Sequence, residues 1–264
     1  MKHIRTIIDK EWSEVFKNRM VLFTTLLLPL IFTAIPLVML NSTKTSLPDL
    51  TDSATAGLPE GFMSVCEGMS GNDCMQVYLV NEFLILFMLM PIIIPITIAA
   101  YSIVGEKTTR SLEPLLATPI TTVELLAGKC AAAVIPAIGA SYLAFGLFNL
   151  GMAVLKISPG VVAYINSPTW LLAVLVLGPI LAVISVNFAL FISSRVNDPR
   201  VAEQISSVIV VPLMGLMLAQ MAGAVVVNLA LMLAAIGIMA LVAFGMLHLG
   251  AQVFERETIL TRWK

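Results

Sequence analysis

From Ser206 to Gly250 the chain runs 45 residues without an Asp, Glu, Lys or Arg. A helix facing water on one side needs a polar stripe, so a stretch of this kind must lie in apolar surroundings on every side. Crossing a bilayer core takes about 20 mostly apolar residues. The run is therefore too long for one crossing and fits two, 206–222 and 228–249, joined by a tight turn near Gln220 to Asn228. Four further charge-free runs have spanning length: Met20 to Leu40, Phe83 to Val104, Cys130 to Leu155 and Trp170 to Ile192. The expectation is one all-α integral membrane domain over 1–264 with six transmembrane helices. Composition agrees. Hydrophobic residues are 59% and charged residues 12%, whereas a soluble domain carries roughly 25% charged residues to solvate its surface.

The charges that remain are sorted by side. Lys2, Arg5, Lys10, Lys17 and Arg19 precede the first run. Lys107, Arg110 and Lys129 lie between the second and third, Arg195 and Arg200 between the fourth and fifth, and Arg256, Arg262 and Lys264 follow the sixth. Only Lys44 and Lys156 fall on the other side. By the positive-inside rule both termini are expected to be cytoplasmic, in a multi-pass protein of the cell membrane. The first apolar run is long enough to span and lacks the short core and cleavage site of a signal peptide, so it reads as retained. The outer side is acidic and holds the long loop 41–82 with Cys66 and Cys74. These two residues are a candidate disulfide in a compartment where such bonds persist; two free thiols are the other reading.

Several function classes are excluded or weakened. A phosphate-cradling loop needs Gly-x-x-x-x-Gly-Lys-Ser/Thr. Gly128-Lys129 is followed by Cys130 and preceded, at the first glycine's position, by Val123. His3 and His248 stand at opposite ends of the chain with no metal-ligand spacing, so no catalytic and no metal site is expected. No basic tract suits nucleic acid. An ion-coupled carrier keeps ionisable groups near mid-membrane, and the apolar runs contain none. Asn149, Ser185 and Asn187 are polar residues within spans. They either line a translocation route or hydrogen-bond helix to helix, and both readings stand.

The connection 105–129 is the most informative segment. Ser111 is a good N-cap and Pro114 falls in the first turn, where its missing N–H costs nothing. A short helix from Leu112 to about Ala117 is expected, ended by Thr118-Pro119. Thr121 and Glu124 then have capping-box spacing and start the next long helix. Such a short helix across the membrane surface exposes Leu112, Leu115 and Leu116 together with Glu106, Arg110 and Glu113. An apolar patch ringed by charge suits either a docking partner or the lipid headgroups.

Gly105-Glu-Lys-x-x-Arg-x-Leu-Glu-Pro-Leu-Leu-Ala-Thr-Pro, followed by Glu-Leu-Leu-x-Gly-Lys129, resembles the signature of the type-2 ABC exporter permeases. Lys10-Glu-Trp-x-Glu-x-x-Lys-Asn-Arg19 before a Leu-Leu-Leu-Pro-Leu run resembles that family's N-terminal cytoplasmic elbow helix, here 1–19. Phe254-Glu-Arg-Glu-x-Ile-Leu resembles its cytoplasmic tail, here 250–264. The resemblance implies a membrane subunit that pairs with a second permease subunit, as a homo- or heterodimer. That pair would be driven by separate cytoplasmic ABC ATPase subunits, with ATP and Mg on those partners and no cofactor on this chain. It implies that the connection after the second span is a coupling helix, with Glu106, Arg110, Leu112, Glu113, Leu115 and Leu116 as coupling residues. Ser193 to Glu203, with Arg195, Asp198 and Arg200, would be a second coupling element. A membrane sensor or scaffold with an external ligand-binding loop is the alternative function.

Overall fold

The structure is a computed structural model and describes residues 2–17, 19–46, 58–108 and 121–253. The elements, in order, are α1 (Lys2–Val15), α2 (Arg19–Ser46), α3 (Glu60–Met63), α4 (Gly71–Phe87), α5 (Met90–Thr108) and α6 (Thr122–Val154). They continue with α7 (Pro159–Ile165), α8 (Pro168–Leu172), a π-helical turn (Ala173–Leu177), α9 (Gly178–Arg195), α10 (Pro199–Ser206), α11 (Val211–Met221) and α12 (Leu229–Val253). No strand occurs among the described residues. Six helical units are long and apolar enough to cross a bilayer: Val21–Lys44, Gly71–Glu106, Val123–Val154, Pro159–Arg195, Pro199–Met221 and Leu229–His248. The all-α, six-span expectation is met.

The helices overrun the charge-free runs because caps, not hydropathy, set their ends. Ser70 accepts the Asp73 N–H at 3.2 Å and starts α4 at Gly71, well before Phe83. Cys74 and Glu82, which the sequence places in a loop, are thereby carried on a helix. The Thr121–Glu124 capping box is present, with the Glu124 N–H on Thr121 Oγ1 at 3.2 Å and the Thr121 N–H on Glu124 Oε2 at 3.1 Å. It starts α6 two turns before the apolar run and puts Lys129 inside a helix. Asn228 caps α12 by accepting the Leu231 N–H at 2.8 Å. The turn before it needs a left-handed residue, Gly223 (φ 71°), and a Cβ there would meet Pro59 at 2.6 Å.

The α4–α5 unit is the centre of the bundle. It is 83% buried over its apolar window, against 11% for the α10–α11 span and 6% for α12. It packs against α9, α6 and α2, while α1 lies along α6. The outermost helices present bare hydrocarbon, including Leu241 at 75% and Phe244 at 73% exposure. Such a surface has no place in water but costs nothing against lipid tails.

Proline removes one N–H and leaves the carbonyl four residues earlier without its helical partner. In a membrane interior that carbonyl needs another donor. The Ala132 carbonyl, four residues before Pro136, accepts the Trp12 indole N–H at 3.0 Å. The Leu175 carbonyl, four before Pro179, accepts the Tyr142 hydroxyl at 2.9 Å within the π-helical turn. The Pro91 carbonyl, four before Pro95, lies 3.5 Å from Ser185 Oγ. In the first two cases a different helix supplies the donor, so Pro136 and Pro179 stitch the bundle together at two levels, while the Ser185 hydroxyl has its shorter contact, 2.9 Å, with Ala182 O.

Candidate functional site

Where α1, α5 and α6 meet, four charged side chains converge. Lys129 donates to Glu11 Oε1 at 2.6 Å and to Ser102 Oγ at 2.7 Å, and its ammonium lies 2.8 Å from Glu106 Oε2. An ammonium has three N–H groups, and three acceptors surround this one. The second Glu106 oxygen accepts from Lys10 at 2.5 Å. Lys129, Glu11 and Glu106 side chains are only 2–3% exposed, and Lys10 is half-open at 36%. Two acids and two bases sum to zero, which is what allows them to be buried together. Burial pushes the Lys10 pKa down, but the hydrogen bond and charge of Glu106 outweigh it and hold the group above its ordinary value.

The helices come close enough for this because of Gly128. A Cβ there would meet Ile7 Cγ2 at 2.8 Å and Ile7 Cβ at 3.0 Å. Ile7 is itself buried, so α1 sits directly on the backbone of α6 one residue from Lys129. Trp12 adds its bond to Ala132 on the same interface. The connection 105–129 therefore has both ends, Glu106 and Lys129, locked to each other and to α1.

The opposite face of α5 carries the other connection. Ala100 and Val104 are fully buried against Ala202 of α10, and Thr97 donates to Glu203 Oε1 at 2.6 Å. Thr97, Ala100 and Val104 form one helical stripe and Ser102 and Glu106 another, about 200° away. α5 is thus a strut with the 105–129 connection on one side and the 193–203 connection on the other. Asp198 caps α10 by accepting the Arg200 N–H at 2.8 Å, and the Arg195 guanidinium stacks 4.3 Å over the Phe191 ring. Arg195, Asp198 and Arg200 are all exposed.

The structure separates the residues singled out from the sequence. Glu106 is not on an exposed rim as expected; it is turned inward, because Lys10 and Lys129 offer it compensating charge. Arg110, Leu112, Glu113, Leu115 and Leu116, and the short helix expected from Leu112, lie outside the described residues. Asn149 donates to Phe145 O at 3.0 Å and accepts from Asn166 at 2.8 Å. Ser185 is fully buried, 2.9 Å from Ala182 O. Asn187 donates to Val183 O at 2.7 Å, with Cys130 Sγ at 3.8 Å. All three polar groups are engaged in packing contacts. Cys66 and Cys74 are joined as a disulfide.

Lys10, Glu11 and Lys129 entered the sequence reading as topology markers or as members of the motifs that carry the family resemblance, not as partners of one another. Their partnership spans 118 positions for Lys129–Glu11, and no local pattern announces it. One local signal was available: each span proline marks a carbonyl four residues back that needs a donor, which calls for a residue such as Trp12 or Tyr142.

A bundle of six helices, each long and apolar enough to cross a bilayer, is a multi-pass transmembrane protein. The family model of the ABC-2 family transporter proteins matches residues 5–259, and the chain belongs to that family. A comparison with curated proteins gives no match. The chain is accordingly the permease component of an ABC transporter, a family whose membrane subunits work with an ATPase subunit.

Proposed function

We propose that this permease is the membrane half of an ATP-driven exporter. It pairs with a second permease chain and is moved by separate cytoplasmic ATPase subunits that hold ATP and Mg. The observation that carries this reading is the knot of Lys10, Glu11, Glu106 and Lys129. A connection that receives force moves the spans only if its ends are fixed to them. Buried ion pairs supply that rigidity, since separating a charge from its partner there costs about 3–5 kcal/mol. In this reading Arg110, Leu112, Glu113, Leu115 and Leu116 meet the ATPase, with Arg195, Asp198 and Arg200 as the second contact, and α5 joins the two inputs. The excess of basic residues at this end supports a cytoplasmic side for it and for both termini, in a protein of the plasma membrane.

The test is co-purification of the ATPase with wild type, Glu113→Arg and Leu116→Asp, alongside ATP-driven export in vesicles. Both variants should insert normally and lose export, with recruitment of the ATPase weakened or its hydrolysis no longer matched to transport. Unchanged recruitment and unchanged export in both variants overturn the assignment.

A further inference from the structure

At the end of the bundle opposite the knot, a short helical arm lies across two spans. α3 (Glu60–Met63) continues into a 3-10 turn (Ser64–Cys66), so residues 60–66 form one stiff unit of about two turns. Gly68, at φ 81°, then reverses the chain, and Ser70 caps α4. The reversal brings Cys66 back beside Cys74, with Cα atoms 5.2 Å apart, and the disulfide joins them. One turn earlier in the arm, Phe62 is 2% exposed and its ring meets the Tyr78 ring edge-on at 5.2 Å. At the far end, Pro59 packs so closely on Gly223 that a Cβ there would lie 2.6 Å from Pro59 Cβ. Gly223 belongs to the turn between α11 and α12.

The two ends of the arm are held unequally. Cys66 is covalently fixed to α4, whereas Pro59 rests on the turn through an apolar contact, and single contacts of that kind are weak. The spans it bridges are the two that meet the connections at the other end of the bundle. The α4–α5 unit ends at Glu106 and the 105–129 connection, and the α10–α11 span follows the 193–203 connection. There the two are joined by the Thr97–Glu203 hydrogen bond at 2.6 Å and by Ala100 and Val104 against Ala202. Cys74 lies 23 residues before Thr97, about 35 Å along the helices. Displacement grows with distance from a pivot, so a tilt of about 10° at that contact shifts the far end by roughly 6 Å. That is enough to lift Pro59 off Gly223.

We infer that residues 59–66 are an outer latch of the permease. At rest the arm closes α4 onto the α11–α12 turn. When the two spans tilt on each other it stays with α4 at the Cys66–Cys74 bond and parts from Gly223, so movement at the two connections opens the opposite side. The inference rests on the exporter reading for the force that opens the latch; the resting contact and the pivot do not depend on it.

The test places spin labels on Met63→Cys and Ala222→Cys, both at exposed positions, in full-length Cys130→Ala permease in nanodiscs. Electron spin resonance then reads the distance from arm to turn. At rest it should be short and single, and ATPase with ATP and vanadate should add a longer population. Gly223→Asn tolerates the left-handed turn but adds a Cβ; it should raise the resting share of the longer population about tenfold, a shift of about 1.4 kcal/mol. Cys66→Ser with Cys74→Ser should broaden the distances in both states, because the arm has lost its pivot. Pro59→Cys and Gly223→Cys, joined by mild oxidation, should stop the ATP-driven export that each single variant, treated alike, retains. The latch is overturned by a distance that ATP leaves unchanged while export proceeds, by distances indifferent to the disulfide, by a pair that does not cross-link, or by a cross-linked pair that still exports. A longer population without ATP-driven export in wild type defeats only the exporter reading. Neither movement nor export overturns both.

Discussion

The indole N–H of Trp12 donates to the backbone carbonyl of Ala132 across 3.0 Å, at the position where Pro136 withholds the ordinary helical donor. A residue of α1 thereby completes the backbone of α6. Trp12→Phe should cost about 1 kcal/mol of stability, read as a lower midpoint in thermal unfolding of the purified permease. In a Pro136→Ala background the same substitution should cost nothing, because residue 136 then supplies the N–H itself. A penalty that persists unchanged in the double variant refutes the repair. Tyr142→Phe should behave likewise against Pro179→Ala.

Lys129 sits between Glu11, Ser102 and Glu106 with no exposed face. Lys129→Met leaves two buried acids facing each other and should destabilise the protein by about 3–5 kcal/mol. Adding Glu11→Leu and Glu106→Gln should restore most of the loss, since a neutral interior no longer carries orphaned charge. The measurement is the unfolding midpoint of the single and triple variants. In vesicles containing the ATPase, the triple variant should hydrolyse ATP with reduced export.

Gly128 admits Ile7 at a distance no Cβ tolerates. Gly128→Val should lift α1 from α6 and lengthen every contact of the knot, with a loss of about 1–3 kcal/mol from overpacking. Ile7→Ala in the same chain should recover much of it, because the clash is with that side chain. Trp12 emission reports the displacement directly.

Lys10 has a folded pKa above the ordinary 10.5, set by burial, which opposes the charge, and by the stronger pull of Glu106. A raised basic pKa means the folded state holds the proton more tightly than the unfolded one. Its contribution is fully present below 10.5 and is lost as the pH climbs through the folded value. Wild type should therefore lose thermal stability on the alkaline side of 10.5, and Lys10→Met should show a shallower decline over that window. Identical slopes exclude the ion pair as a contributor.

Hydropathy is a sum over about 20 consecutive residues, and that local sum was enough to show six spans and a turn near Gln220 to Asn228, while the capping box at Thr121 was legible from its spacing to Glu124. It also carried the family resemblance, because the signature of the 105–129 connection is contiguous. The helix ends were less legible where Ser70 starts a helix ahead of the apolar run, since a cap acts on backbone N–H groups and takes no account of polarity downstream.

What only the tertiary structure decided is the pairing of distant polar groups. Glu106 reads as an exposed rim residue until Lys10 and Lys129 are brought to it by the Ile7–Gly128 contact. Glu82 reads as loop until the early start of α4 carries it, buried, onto a spanning helix. A buried charge takes its character from whatever partner the fold places within a few ångströms. That partner lies tens to over a hundred positions away, so no window along the chain contains it.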